Sequence, residues 1–117
     1  MTLSPPDAVL VLETDFTDLP LWLDGLLARS DIALTPSIWD AMTTWADYSL
    51  NFYTTSYRWG PGADPVWYRH EGDRLATLIA DEIGAQYAVN HDGTVFRSFN
   101  EPTNPAAAED IRILLEQ

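Results

Sequence analysis

The chain has 117 residues, 18 of them acidic and 6 basic, for a formal net charge of -12 at pH 7. A field of that sign disfavours nucleic acid, anionic membranes and acidic substrates, and it favours a basic partner. There is no Cys, which excludes a disulfide framework, a zinc ribbon and thiol catalysis.

The length fits one domain over residues 1–117, and a chain of this size buries roughly two-thirds of its unfolded surface. Five Trp, five Tyr and four Phe are too many aromatics for a disordered acidic chain, so a folded domain with an acidic surface is expected. The first residues carry no basic n-region and no long apolar run, so no signal peptide is read there. No window approaches the roughly 18 apolar residues of a membrane span, and a cytoplasmic location is expected. All six basic residues are Arg, and Ala and Asp are abundant, a bias typical of GC-rich bacterial coding.

Ala8-Val9-Leu10-Val11-Leu12-Glu13 is a short apolar run whose length and Val content predict a central strand. Asp15 to Leu19 reads as a turn, and Leu21-Trp22-Leu23 suits a short returning strand before Asp24-Gly25. Arg29 to Leu34 has no clear pattern. Thr35-Pro36 supplies a cap and a first-turn Pro for a helix. Ile38, Ala41, Met42, Trp45, Tyr48 or Ser49, and Phe52 follow at helical spacing. Asp40, Thr43, Thr44, Asp47 and Asn51 lie opposite, with Asp40 placed to support the positive end of the helix dipole. The helix is expected to fade near Tyr53-Thr54-Thr55.

Arg58 to Pro65 is a Gly/Pro loop, and Asp64-Pro65 repeats the cap-plus-Pro signal for a second helix over about Pro65 to Ile83. Its apolar stripe is Tyr68, Leu75, Leu78, Ile79 and Ile83, with Gly72 allowing close packing and Gly84 suited to a left-handed stop. Gln86 to Phe99 predicts a hairpin about an Asp92-Gly93 turn. Tyr87 and Val89 alternate on one arm; Val95, Arg97 and Phe99 alternate on the other. Asn104-Pro105 opens a third helix with Ala108, Ile111, Leu114 and Leu115 inward. The order β-β-α-α-β-β-α predicts an α+β fold, a small antiparallel or mixed sheet with helices packed on it.

No motif names a reaction. His70-Glu71 lacks the second zinc-binding His four residues on, where Arg74 stands. Gly-x-Ser-x-Gly is absent, though a scattered Ser-His-Asp set remains open. Asn90 to Glu101 has the wrong spacing for a calcium loop, and Gly60-Pro61-Gly62 lacks the features of a phosphate loop. Carboxylate pairs such as Asp40/Asp47 or Asp81/Glu82 arise by chance in so acidic a chain and read first as solvated charge. No metal, cofactor or catalytic residue is expected. Trp22 and Trp45 read as core, and Trp39 flanks the core stripe. Trp59 and Trp67-Tyr68 bracket the Gly/Pro loop, either as interface anchors amid charge or as covers over the open end of a small core.

Three segments carry a resemblance. They are Asp15-Phe16 with Pro20-Leu21-Trp22-Leu23; Leu34-Thr35-Pro36 leading to Trp45-Ala46-Asp47-Tyr48; and Glu71-Gly72, Leu75-Ala76, Ile79-Ala80, Glu82-Ile83-Gly84, Tyr87 and Val89. Over about residues 8–90 they resemble small acidic bacterial proteins thought to act as immunity proteins of polymorphic toxins. The resemblance implies a cytoplasmic α+β protein that blocks a toxin domain and uses no catalytic residues. The expectation is a non-enzymatic binder of a basic toxin domain, touching it through Asp40, Asp47, Asp73 and Asp81 and anchored by Trp59 or Trp67. Two other classes stay open: an acidic nucleic-acid mimic that inhibits a DNA-binding or defence protein, and a small ligand-binding or acid-base enzyme domain.

Overall fold

A computed structural model describes residues 4–14, 19–53 and 58–117. The elements are β1 (Ala8–Leu12), β2 (Leu21–Trp22), α1 (Pro36–Phe52), α2 (Pro65–Ile83), β3 (Tyr87–His91), β4 (Thr94–Phe96) and α3 (Pro105–Leu115). This is the α+β order read from the sequence, and the sheet is mixed. Its strands run β2-β1-β3-β4, with β1 and β3 parallel at the centre and antiparallel strands at both edges. The turn expected over Asp15 to Leu19 falls, except for Leu19, outside the described residues.

Strand alternation decides what the sheet buries. Leu10 pairs with Val89 and Leu12 with His91, and all four are buried. Leu10, Leu12 and Val89 join Met42 and Trp45 of α1 and Leu75 and Ile79 of α2 in one apolar cluster, which the helix stripes anticipated. Trp39, read as flanking that stripe, is itself buried, and its indole N–H donates to the Ile32 carbonyl at 3.1 Å. The other sheet face is unevenly covered: Ala88, opposite Val9, is buried. Val9 and Val95 are exposed there, and Trp22, expected in the core, is half-buried beside Val11.

The hairpin turn forms as expected, with Asp92 and Gly93 at φ 51° and 84°. Such a two-residue turn pairs His91 with Thr94, Asn90 with Val95 and Val89 with Phe96. Because Val89 and His91 face the helices, Phe96 follows them inward. Val95 is 55 % and Phe99 79 % exposed. Arg97 lies beyond β4, donating from Nε to the Ala85 carbonyl at 2.7 Å and from Nη1 to the Ser4 carbonyl at 2.6 Å. The alternating set Val95, Arg97, Phe99 is therefore not the packing face of this arm.

The helix ends are tied to each other. Thr35 precedes α1, but its hydroxyl does not cap that helix; it donates to Glu82 of α2, as does its backbone N–H at 2.9 Å. Asn104 caps α3 and also donates to Glu82 at 3.0 Å. One carboxylate thus joins the starts of α1 and α3 to the end of α2. Asp64 caps α2 by accepting from the Trp67 N–H at 3.0 Å. Asp40 lies past the first turn of α1 and pairs with Arg29 at 2.9 Å instead of serving the helix dipole. In α3, Ile111 is buried and Ala108 and Leu114 pack against the core as the expected stripe had them; Ala107 joins them and Leu115 is exposed instead.

Candidate functional site

β1 and β3 are parallel, so both carboxyl ends lie at one edge of the sheet. In open α/β sheets that edge is the usual place for a ligand crevice. A cleft of about 710 Å³ opens here. Glu13 and Thr14 continue β1 into it, and Asn90, His91, Asp92 and Gly93 line it from the hairpin. The facing wall is the last turns of α1, with Trp45, Ser49 and Tyr53, and the first turns of α2, with Tyr68, Arg69 and His70. Trp59, from the loop between the helices, completes the lining.

Trp45 separates this cleft from the core. It stacks on Tyr68 with centroids 4.7 Å apart, meets His91 edge-on at 5.5 Å, and donates its indole N–H to the Tyr68 carbonyl at 2.8 Å. The aromatic wall continues outward. Trp59 packs edge-on against Tyr68 at 4.8 Å and Tyr53 at 4.9 Å, and Tyr48 lies 4.8 Å from Trp67. Perpendicular and offset arrangements of this kind suit the ring quadrupoles and rigidify the wall.

Two polar groups sit within it. The hydroxyls of Thr14, Ser49 and Tyr68 form one cluster: Thr14 donates to Ser49 at 3.0 Å and shares a hydrogen bond with Tyr68. His91, only 5 % exposed, holds Asp73 of α2 through Nδ1 at 2.8 Å. Its ring fits because residue 72 is Gly: a Cβ there would stand 2.3 Å from His91 Cε1 and 2.8 Å from Trp45 Cζ2. Among the described residues no hydrogen bond joins Ser49 to His91, so Ser49, His91 and Asp73 do not form a relay. Among the same residues no three His, Asp or Glu side chains are grouped as metal ligands.

Burial pushes the Tyr68 phenol above the usual tyrosine range. The Thr14 and Ser49 hydroxyls pull it part of the way back, and the carboxylates of Glu13 and Asp92 add to the rise. Burial also raises Tyr87. Both phenols favour the neutral form in the fold, so their contribution to stability is present below the unfolded value near 10. It is lost as pH rises through the higher folded values. In an ultraviolet titration Tyr68 and Tyr87 should ionise late, and Tyr68→Phe should remove one late-ionising group.

Compared with protein-family models, curated proteins and solved structures, the chain matches none of them. No relative links it to immunity proteins, and its own side chains carry the functional reading.

Of the residues expected to bind a partner, the structure gathers two. Trp59 and Trp67 both pack around Tyr48, and Trp67 is 39 % exposed. The four aspartates are dispersed. Asp40 is held by Arg29, Asp47 is exposed on α1, Asp73 is turned to His91, and the backbone carbonyl of Asp81 accepts from Thr103. Sequence reasoning placed His91 beside a turn and missed it as part of the cleft. The period-2 series Tyr87, Val89, His91 held the signal, since it puts all three on one face. Ser49 was placed only on an apolar stripe, Tyr68 was placed on one and beside the Gly/Pro loop but not with the hydroxyls it meets, and nothing local marks Glu13 or Thr14.

Proposed function

We propose that this chain is a non-enzymatic binding protein that covers and blocks a basic protein partner, a toxin domain in the manner of an immunity protein. The observation that carries the reading is an aromatic-walled cleft set in a chain of net charge -12. Charge draws a basic surface in, and rigid aromatics hold it once it arrives. Local pairing already engages several of the few cations: Arg29 with Asp40, Arg74 with Glu71, and Arg112 with Glu109 and Glu116. Exposed pairs of this kind add little stability, and the excess of carboxylates remains free to act at long range. No helix of the described residues is long and apolar enough to cross a membrane.

The dispersal of the aspartates divides their roles. Asp40, Asp47 and Asp81 are exposed and available for steering, whereas Asp73 orients His91. Changing Asp40, Asp47 and Asp81 together to Asn is expected to slow association with a basic partner and flatten its salt dependence, without lowering the melting temperature. Trp67→Ala is expected to speed dissociation. The test captures partners from the native host at stepped salt, identifies them, and measures their rates by surface binding. A partner whose on-rate ignores both the aspartates and ionic strength would remove the steering role.

A second reading has its own observation. The hydroxyl cluster and His91, which Asp73 holds from behind through Nδ1, line one cleft, the arrangement expected of a small-ligand site or an acid-base centre. Tight binding of a neutral small molecule, insensitive to salt, would favour it over a protein partner.

A further inference from the structure

Resting on the protein-binding reading above, we propose that the cleft receives an arginine side chain of the basic partner. The guanidinium lies against the aromatic wall at Trp59, with its charge met by Glu13 and Asp92.

The cleft offers what that group needs. A guanidinium carries five N–H donors and no acceptor, so it requires oxygen atoms around its edge and an electron-rich face against its plane. Glu13 and Asp92 supply carboxylates at the strand side, and both lie close enough to act on the Tyr68 phenol. The Thr14 and Ser49 hydroxyls supply further acceptors, since each oxygen has two lone pairs. Trp59 provides the strongest kind of ring for a cation. The volume, about 710 Å³, exceeds what one side chain fills, so the arginine enters with flanking residues of a partner loop. Arg69 and His70 line the α2 side, which directs the incoming cation toward the strand side. An anion would meet two carboxylates at the strand side and the repulsion of the whole chain, so phosphate is the disfavoured occupant.

The test titrates the protein with N-acetyl-arginine amide and follows the Trp59 indole and Tyr68 ring signals by NMR. N-acetyl-citrulline amide, the uncharged isostere, and inorganic phosphate are run beside it. The expected result is a saturable shift with the arginine probe only. The double variant Glu13→Gln, Asp92→Asn should weaken it by about fivefold or more. That variant is expected to fold, because Glu13 is exposed and Asn before Gly suits the turn at least as well as Asp. Trp59→Ala should abolish the shift at Tyr68, and its melting temperature is measured alongside because Trp59 packs on Tyr53 and Tyr68. Equal binding of the citrulline derivative or of phosphate, or no saturable shift with arginine, would overturn the inference. If a captured basic partner binds wild type and the double variant alike, the arginine site falls and the binding function stands. If no partner shows salt-dependent association, the binding reading falls, and the probe titration still decides what the cleft accepts.

Discussion

Trp45→Ala is expected to cost about 3–5 kcal/mol, the range for truncating a buried aromatic in a packed core. Trp45 is 1 % exposed and joins several parts of the fold. It packs with Leu10, Met42 and Leu75 in the core cluster, stacks on Tyr68, and meets His91 edge-on. Removing the ring leaves a cavity bounded by two helices and two strands, and elements fixed on several sides collapse poorly into such a void. It also removes the indole hydrogen bond to the Tyr68 carbonyl, a further small loss. In a domain of this size the melting temperature should fall by roughly 10 °C or more. Urea unfolding checks the value, and a loss below about 1 kcal/mol would show that α1 does not present this face to the sheet. Trp45→Phe should lose less, because it keeps a stacking ring on Tyr68 and forfeits only the hydrogen bond and part of the volume.

The helices were legible because their signals are local and redundant. Thr35-Pro36, Asp64-Pro65 and Asn104-Pro105 each mark a start, and each does so in the structure. The stripe of α2 and the Asp92-Gly93 turn were legible for the same reason. The parallel pairing of β1 with β3 was not, because the residues that pair lie far apart in the chain and no local rule sets them together. Yet that pairing creates the cleft, by bringing Thr14 and His91 to one edge of the sheet. Glu82 was read as one more surface acid and proves to join three helices, again through partners distant in sequence. Sequence pattern reported faces and ends well. It reported poorly which polar side chains the topology would turn toward one another.

Gly84→Ala is expected to destabilise by about 3 kcal/mol or more, combining backbone strain with an unrelievable contact. Gly84 ends α2 at φ 80° and ψ 177°. The sequence pointed to a left-handed stop, and the positive φ agrees, but the ψ places the residue in a region populated essentially by Gly alone. Space is the second difficulty. A Cβ here would lie 2.6 Å from the backbone nitrogen and from Cδ of Pro102, and 3.0 Å from its Cα. Backbone cannot turn aside as a flexible side chain can. Pro102 is also fixed by its neighbours: Ala85 N–H donates to the Asn100 carbonyl at 3.0 Å, and the N–H groups of Thr103 and Asn104 donate to Asp81 and Glu82, each at 3.1 Å. Moving Pro102 away would strain the segment that leads into α3 and caps it. Gly93→Ala is the matched comparison, since Gly93 also has positive φ, at 84°, but nothing lies within 4 Å of its added Cβ. Its cost should be conformational alone, about 1 kcal/mol. Thermal melts of the two variants side by side measure what the collision and the Gly-only backbone region at Gly84 add to the ordinary cost of a side chain at positive φ. Equal losses would mean that the segment over Gly84 yields freely and does not lock the end of α2.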